Sequence, residues 1–218
     1  MERGHSGIFD RNVPGTTEML QRATVGIAGC GGLGSNSAVA LARAGIGKLI
    51  LVDPDSIEPS NLNRQYYFQS DVGKAKVEAL AGHLRDINPE IGLELHEIEL
   101  EPDGIEGIFG AADLLIEAFD RAESKHWLIE SWCRIFPERH IVCGSGVAGI
   151  GAPETLEVRS SGFIHICGDG ESDSGIGLCS ARIATVANMQ ANVAIEILCS
   201  PGKDTAREGP GVSRIELE

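Results

Sequence analysis

Residues 24–34 read Thr-Val-Gly-Ile-Ala-Gly-Cys-Gly-Gly-Leu-Gly, an apolar run that breaks into a glycine-rich turn. The segment that follows is rich in alanine, serine and leucine, which favours a helix over 31–44. A second apolar run, Leu-Ile-Leu-Val at 49–52, ends in Asp53. A strand, a glycine turn, a helix and a second strand in about thirty residues predict a βαβ unit with a right-handed crossover. This stretch decides the fold.

The alternation of strands and helices continues beyond this unit. Apolar runs predict buried strands, and apolar residues at helical spacing predict the helices between them. The predicted strands are 25–28, 49–52, 93–100, 113–118 and 140–143, and the predicted helices are 16–22, 31–44, 72–88, 103–109 and 122–136. This order predicts a Rossmann-like α/β fold, with a mostly parallel sheet and helices on both faces.

The regular alternation of strands and helices ends after Gly144. Two short apolar runs, 155–159 and 163–167, are separated by Ser-Ser-Gly and predict an antiparallel hairpin. A polar, glycine-rich loop is predicted at 168–177, and an apolar helix over 180–198. The fold is therefore expected to end in an antiparallel C-terminal extension.

The composition indicates one globular domain. With 218 residues, 42% of them apolar, the chain is long enough to bury a sizeable core. Its six cysteines include no Cys-x-x-Cys pair, which predicts a reduced intracellular protein without structural zinc. The net charge of -14 opposes a nucleic-acid interface. Short apolar runs and the lack of a signal peptide predict a soluble cytoplasmic protein without membrane contact.

The glycine-rich turn has the pattern G-x-G-x-x-G at Gly29, Gly31 and Gly34. Glycine lets a phosphate approach the backbone closely, and a helix N-terminus offers free amides and a positive dipole end. Asp53 ends the next strand, where an acid can accept hydrogen bonds from ribose hydroxyls. These features predict a nucleotide site. A tight structural turn would use the same glycines, and an NAD-dependent oxidoreductase would use the same motif.

Polar residues further along the chain do not fit a dehydrogenase. Ser-Asn-Leu-Asn-Arg-Gln at 60–65 follows the ribose acid, and Lys76 and Asp120 are expected near the same edge of the sheet. A nucleoside triphosphate needs such cations for its phosphates and a carboxylate for Mg2+. Each of these residues also has a structural interpretation that involves no ligand. Lys76 could be a solvated helix lysine, Asp120 a helix cap, and Arg64 half of a loop ion pair.

This combination resembles the ThiF/MoeB/HesA family, the bacterial relatives of the ubiquitin-activating enzymes. The resemblance runs from Arg11 to about Leu198. It implies ATP-dependent adenylylation of the C-terminal glycine carboxylate of a small ubiquitin-like carrier, with release of pyrophosphate. Its most specific parts are Gly-Cys-Gly-Gly-Leu-Gly at 29–34, Asp-x-Asp at 53–55, Ser-Asn-Leu-Asn-Arg-Gln at 60–65 and Gly-Lys-Ala-Lys at 73–76.

The short form without zinc ligands is most similar to the compact ThiF-like proteins linked to thiamine thiazole synthesis. This resemblance implies ATP and Mg2+ as cofactors, no zinc, and a ThiS-type sulfur carrier ending in Gly-Gly as partner. A MoaD-type carrier, a tRNA threonylcarbamoyladenosine dehydratase and a non-catalytic carrier-binding scaffold stay open as alternatives. The sulfur donor is not indicated by the sequence.

The resemblance also implies roles for individual residues. Arg11 by itself reads as a solvated terminal arginine, but it matches the family's arginine that reaches the partner subunit's site in a homodimer. Asp120 is the implied Mg2+ ligand, and Arg121 stands where relatives often carry asparagine. The implied catalytic residues are Arg11, Arg64, Lys76 and Asp120. The implied nucleotide-binding residues are Gly29, Gly31, Gly32, Gly34, Asp53, Asp55, Ser60, Asn61, Arg64, Gln65, Lys76, Asp120 and Arg121.

The implied organisation is a single adenylation domain, 1–198, followed by a loose tail, 199–218. The parts of the domain are an N-terminal arm and helix at 1–22, a nucleotide-binding half at 23–144, and a carrier-binding half at 145–198 with a crossover-type loop at 168–180.

The cysteines depart from the pattern of larger relatives, which bind zinc through two Cys-x-x-Cys pairs. Only Cys167 lies near the first pair's position, and Ser174 stands where many relatives carry a crossover-loop cysteine. A covalent sulfur-transfer step at that position is therefore not expected. Cys179 is interpreted as a small residue at a helix start. Participation of Cys167 or Cys179 in sulfur transfer stays open.

Overall fold

The structure, a computed structural model, describes residues 7–200. The first six residues of the predicted arm and the predicted tail beyond Ser200 lie outside the described residues. The strands are β1 Thr24–Ala28, β2 Lys48–Val52, β3 Gly92–His96, β4 Leu114–Glu117, β5 His140–Gly144, β6 Glu157–Ser161 and β7 Ile164–Gly168. The helices are α1 Thr16–Leu20, α2 Gly32–Ala44, α3 Lys76–Ile87, α4 Ile105–Phe109, α5 Ala122–Ile135 and α6 Ser180–Cys199.

The strands form one seven-stranded sheet in the order β3-β2-β1-β4-β5-β7-β6. Within residues 7–200, β6 alone runs antiparallel to its neighbour, and the other pairs are parallel. The Rossmann-like prediction with an antiparallel C-terminal extension is confirmed. The chain proceeds outward from β1 to β3 and then returns to β4 on the other side of β1. This reversal opens a crevice between β1 and β4, where sheets of this kind bind ligands.

The sheet separates two apolar cores, because successive strand residues point to opposite faces. Ile27, Leu49 and Leu51 pack on the face covered by α2, α3 and α6, in a cluster that includes Leu41, Leu80 and Val186. On the other face, Ala28, Ile50 and Val52 pack in a cluster that includes Phe109, Leu128 and Trp132 of α4 and α5. Helices therefore cover both faces, as predicted. No helix among residues 7–200 is long and apolar enough to cross a membrane.

Two predicted boundaries are wrong for identifiable reasons. The helix predicted from residue 72 begins at Lys76, because Gln69–Asp71 forms a 3-10 turn and Gly73 adopts a left-handed φ of 89°. The strand predicted over 93–100 ends at His96. Beyond it the chain bends at Ile98, which is exposed rather than packed in a core.

The C-terminal hairpin also differs in its bounds. The predicted strands 155–159 and 163–167 lie at Glu157–Ser161 and Ile164–Gly168, so Ser160 and Ser161 belong to β6 rather than to the turn. Gly162, with a φ of 57°, makes the turn together with Phe163. The last helix reaches Cys199, where the loose tail was predicted to begin.

The turn before α3 is held by Asp71. Its carboxylate accepts hydrogen bonds from Phe68 N at 2.9 Å and Lys74 Nζ at 2.9 Å, and it lies 2.7 Å from His83 Nε2. Burial alone would raise the pKa of Asp71, but these partners lower it to about 2. Because this folded-state pKa lies below the unfolded value, the stabilisation is present above about pH 4 and is lost as pH falls towards 2.

We therefore expect Asp71→Asn to lower the free energy of unfolding by about 2 kcal/mol at pH 7. The difference from the unsubstituted protein should shrink as pH falls from about 4 towards 2.5. Urea titrations across this range measure it. Asp86→Asn on α3, an exposed aspartate, is the matched control and should change little. A difference that stayed constant with pH would contradict this account.

Candidate active site

The glycine-rich turn joins β1 to α2 at the β1–β4 crevice. Gly29 has a φ of 95°, and a Cβ on it would lie 2.8 Å from Ala118 O at the end of β4. A Cβ on Gly34 would lie 1.8 Å from Gly29 O, so the turn packs directly on the first turn of α2. In the described structure no side chain caps the N-terminus of α2 at Gly31. Its first backbone amides are therefore available to an anion.

This packing predicts a strong effect of a small substitution. We expect Gly34→Ala to destabilise the protein by about 1–3 kcal/mol, because its methyl group would displace backbone rather than a flexible side chain. Gly82→Ala is the matched control, since no atom lies within 4 Å of its added Cβ in α3. It should stabilise the protein by about 0.5–1 kcal/mol. Thermal unfolding measures both, and equal effects of the two substitutions would refute the packing argument.

Asp53 follows β2 directly and lies beside the glycine turn. Its Oδ2 accepts a hydrogen bond from Cys30 N at 2.7 Å, and its Oδ1 accepts one from Asp55 N at 2.9 Å. Burial raises the pKa of Asp53, while nearby Lys76 opposes the rise. The carboxylate is thus held in one orientation beside the turn, as a ribose-binding acid requires.

Lys76 completes a cluster with the two aspartates. Its Nζ lies 2.6 Å from Asp55 Oδ2 and 3.6 Å from Asp53 Oδ1. The lysine side chain is only 7% exposed, whereas that of Asp55 is 63% exposed. The alternative of a solvated helix lysine is therefore wrong. The structure brings Asp53, Asp55 and Lys76 together, as the predicted site requires.

Ser60, Asn61 and Arg64 lie on the loop after β2. Arg64 Nη1 donates hydrogen bonds to Ser60 O at 3.1 Å and to Asn63 Oδ1 at 2.8 Å. Asn61 Oδ1 accepts a hydrogen bond from Glu58 N at 3.0 Å, which leaves the Nδ2 group of Asn61 to donate to a ligand. Arg64 forms no ion pair with any residue of the described chain, so the loop ion-pair reading is wrong.

This loop is fastened to the glycine turn by side chains that sequence reasoning missed. Asn36 Nδ2 donates to Gly32 O at 2.7 Å and to Arg64 O at 3.0 Å. Tyr67 OH donates to Cys30 O at 2.8 Å. These bonds hold the Arg64 side chain close to Gly32, where a Cβ would lie 3.6 Å from Arg64 Cγ. The aliphatic part of the Arg64 side chain thus lies beside the first turn of α2.

Gln65 is buried beside the same turn. Its Nε2 lies 3.7 Å from the position of a Cβ on Gly31. Its Oε1 has no hydrogen-bond partner in the described structure. A buried polar atom without a partner is costly, so a ligand in the crevice would relieve this acceptor.

Asp120 and Arg121 lie on the exposed loop between β4 and α5. Arg121 rather than Asp120 is the N-cap residue of α5, and no side chain caps this helix within the described chain, so the helix-cap reading of Asp120 is wrong. Residues 7–200 contain no group of three or more acidic, cysteine or histidine side chains that could hold a metal. Mg2+ in nucleotide sites uses one or two carboxylates together with phosphates. One exposed carboxylate at this edge fits that requirement.

Glu117, the last residue of β4, is a further charged residue that sequence reasoning missed. Its side chain is fully buried and pairs with Lys125 Nζ at 2.9 Å. Burial raises the pKa of the Glu117 carboxyl, and the Lys125 ammonium opposes the rise. A single acid within an otherwise apolar run, Leu-Leu-Ile-Glu-Ala-Phe at 114–119, is the sequence feature that could have identified it.

Arg11 is the predicted site residue that the structure does not bring to the crevice of its own chain. Its neighbour Asn12 donates from Nδ2 to Ala44 O at 2.9 Å, and Phe9 packs against Gly45. These contacts are at the C-terminal end of α2, whereas the glycine turn is at its N-terminal end. The 13 residues of α2 separate the two by about 20 Å.

The loop after β7 is organised by Asp169. Its Oδ1 accepts from Glu171 N and Ser172 N, both at 2.8 Å, and its Oδ2 pairs with Arg182 of α6. Arg182 also donates to Gly151 O at 2.7 Å, which ties this loop to the loop after β5. Between the two loops lies an open groove of about 680 Å³.

The cysteines near this groove differ in their surroundings. Cys167 is buried in β7, and burial raises the pKa of its thiol to about 12. Cys179 is the N-cap residue of α6, at a helix start as interpreted from the sequence. Ser174 lies in an exposed 3-10 turn. The high pKa keeps the Cys167 thiol protonated near neutral pH, which opposes a nucleophilic or metal-binding role.

The fold, the uncapped glycine turn and the Asp53–Lys76 cluster are those of a nucleotide-binding α/β protein. The chain belongs to the ThiF family, whose match covers residues 8–209. The family predicted from the sequence is thereby confirmed.

Relatives with curated descriptions are longer than this chain. Adenylyltransferase and sulfurtransferase UBA4 of Candida albicans is 32% identical over 149 residues, which cover 68% of this chain and 34% of that protein. The SAMP-activating enzyme E1 of Haloferax volcanii is 32% identical over 128 residues, 58% of this chain and 47% of that protein. The chain thus spans less than half the length of these relatives.

A solved structure gives a more complete superposition. E. coli tRNA N6-threonylcarbamoyladenosine dehydratase in complex with ATP matches with a TM-score of 0.78 and 25% identity. The match covers 88% of this chain and 92% of that chain. Most of this chain therefore has a structural counterpart in one known protein.

Proposed function

We propose that this protein adenylylates the C-terminal glycine carboxylate of a small ubiquitin-like carrier, using ATP and Mg2+ and releasing pyrophosphate. The observation that carries the proposal is the crevice at Gly29–Gly34, where free amides, the Asp53–Lys76 cluster and Arg64 meet. The names of the Candida and Haloferax relatives support adenylyl transfer and a carrier substrate, and the ATP complex of the E. coli dehydratase supports the nucleotide.

The proposed roles follow from the positions of the residues. Asp53 binds the ribose, and the amides of Gly29, Gly31, Gly32 and Gly34 receive phosphate. The polar side chains that hold the nucleotide are those of Asp55, Ser60, Asn61, Arg64, Gln65, Lys76, Asp120 and Arg121. Lys76 exchanges its bond to the exposed Asp55 for the α-phosphate, because an exposed partner contributes little to binding the lysine.

The proposed reaction needs positioning and charge stabilisation rather than a protein nucleophile. A carrier carboxylate oxygen forms a bond to the α-phosphorus in line with the bond from that phosphorus to the bridging oxygen of pyrophosphate, which breaks. The electron pair leaves with pyrophosphate, and no proton is transferred. Arg64 and Lys76 stabilise the charge that develops on the phosphates. Mg2+, brought with the nucleotide and held by Asp120, would neutralise charge on the leaving group.

We assign the adenylation domain to 1–198, with nucleotide binding in 23–144 and carrier binding in 145–198. The groove between the loops after β5 and β7 supports this division. Ile150 and Ile176 are exposed beside it, 81% and 68% respectively, and offer apolar contact to a carrier. Gly149 N donates to Gly177 O at 2.9 Å, so the loops approach closely enough to confine a narrow Gly-Gly tail. The loop 168–180 would cover that tail.

We further propose that the protein acts as a homodimer in which Arg11 completes the partner subunit's site. The distance of about 20 Å along α2 supports this, because Arg11 lies too far from the glycine turn of its own chain. The carrier is proposed to be a ThiS-type protein of thiamine thiazole synthesis, and the reaction to take place in the cytoplasm, where ATP is available and the six cysteines stay reduced.

ATP–pyrophosphate exchange tests the proposal. We expect exchange only when a purified carrier ending in Gly-Gly is added, and none when that carrier lacks its last two residues. ThiS-type and MoaD-type carriers in separate reactions identify the preferred partner. A reaction with tRNA in place of the carrier tests the alternative substrate. We expect no exchange in that reaction, because the net charge of -14 opposes binding of nucleic acid. Tight NAD binding without exchange on any carrier would overturn adenylylation.

A further inference from the structure

The buried pair of Glu117 and Lys125 lies directly behind the loop that carries Asp120. Lys125 Nζ donates to Glu117 Oε1 at 3.0 Å and to Oε2 at 2.9 Å, and also to Gly144 O at 2.9 Å. The Glu117 side chain is 0% exposed and that of Lys125 is 22% exposed. The pair thus links the end of β4, the second turn of α5 and the end of β5.

The same carboxylate acts on the backbone that leads to Asp120. Glu117 Oε1 accepts a hydrogen bond from Phe119 N at 2.7 Å, which closes a tight turn over two residues. The Glu117 carbonyl accepts from Gln190 Nε2 of α6 at 2.9 Å, and this amide also donates to Val142 O at 3.2 Å. Glu117 is therefore held by Lys125 of α5 on one face of the sheet and by Gln190 of α6 on the other, and it in turn holds the amide of Phe119, the residue immediately before Asp120.

An ion pair in this position is a poor means of stabilising the fold. Removing two charges from water costs several kcal/mol per ion, and apolar pairs of similar volume are often as stable. A buried pair with every oxygen engaged does, however, restrict the backbone around it to one conformation. Here that conformation is the one of the β4–α5 loop.

We propose that Glu117 and Lys125 are positioning residues that set the place of the Asp120 carboxylate, and with it that of the Mg2+ bound to ATP. This inference rests on the proposed function. It says that the pair acts on the metal step and not on the binding of the ribose, because Asp53 follows β2, on the side of β1 away from β4.

The test uses the double variant Glu117→Gln/Lys125→Met, which removes both charges while keeping similar side-chain volumes. We expect it to fold, to bind ATP without Mg2+ as tightly as the unsubstituted protein, and to lose the gain in ATP affinity that Mg2+ provides. In the exchange assay it should need about tenfold more Mg2+ for half-maximal rate. Calorimetry with ATP, with and without Mg2+, gives a readout that needs no carrier.

The single variant Glu117→Gln, which keeps Lys125, provides an independent test and should change the Mg2+ dependence in the same direction. Unchanged Mg2+ dependence in either folded variant would overturn the proposal. Failure of both variants to fold would also overturn it, because the role of the pair would then be purely structural. If the unsubstituted protein lacks exchange but shows a Mg2+-dependent gain in ATP affinity that the variants lose, the proposed function fails and this inference stands. If it shows no such gain, the inference fails.

Discussion

Asp120→Ala is expected to abolish carrier-dependent ATP–pyrophosphate exchange, with a loss of about a thousandfold or more. Asp120 is the exposed carboxylate on the β4–α5 loop, at the crevice edge where a metal on the phosphates would lie. Without it, the metal that neutralises charge on the departing pyrophosphate would lose its proposed ligand from the protein. The fold should be unaffected, because no hydrogen bond or ion pair joins Asp120 to another residue of the described chain.

The control for this prediction is Asp86→Ala, which removes an exposed aspartate of α3. It should retain full exchange, and both variants should unfold at the temperature of the unsubstituted protein. The Asp120→Ala protein should still bind ATP in the absence of Mg2+, because the ribose acid and the glycine turn are intact. Retention of more than a tenth of the exchange rate would remove Asp120 from the proposed metal site.

Arg11→Ala is expected to reduce exchange severely, by about a hundredfold or more, and to be rescued by a second inactive variant. The structure holds the arm at the C-terminal end of α2 through Asn12 and Phe9, so Arg11 cannot serve the glycine turn of its own chain. In a dimer of one Arg11→Ala chain and one Asp120→Ala chain, the site on the Arg11→Ala chain has its own Asp120 and receives the partner's intact Arg11. The site on the Asp120→Ala chain lacks both groups. Such dimers should show about half the activity of the unsubstituted dimer.

Dimers of this composition can be prepared by co-expression with two different affinity tags and purification through both. Arg22→Ala, which removes an exposed arginine close to the arm, is the matched control and should leave exchange unchanged. A dimer in which one chain carries both substitutions, paired with an unsubstituted chain, should be inactive, because each site then lacks one group. Equal activity of the two arrangements would exclude action across the dimer, and a monomer in solution would exclude it directly.

Much of the fold could be predicted from local sequence. The run at 24–53 specifies a strand, a glycine turn, a helix and a strand by apolar periodicity and by glycines, two of which, Gly29 and Gly34, have no room for a Cβ. Predicted boundaries were wrong where the backbone geometry of a neighbouring turn or bend decides them. The start of α3 depends on the 3-10 turn at Gln69–Asp71 and on the left-handed Gly73, and β3 ends before a bend at Ile98.

The candidate site could be assembled from sequence only in part. Each polar residue of the predicted set had a structural reading of its own, and the sequence could not choose between the readings. The structure excludes three of these: Lys76 is buried against Asp53 and Asp55, Arg64 has no ion pair among the described residues, and Asp120 does not cap α5. Which nucleotide and which carrier the site receives stay proposals.

Local sequence patterns specify the family, the order of the elements and the residue types gathered at the carboxyl edge of the sheet. These properties depend on side-chain periodicity and on motifs whose members are close along the chain. Only the tertiary structure decided that Glu117 and Lys125 form a buried pair behind Asp120, and that Arg11 lies a full helix length from the glycine turn. Both facts depend on how α2 and α5 pack against the sheet. The sum of many weak apolar contacts determines that packing, and no single residue pattern records it.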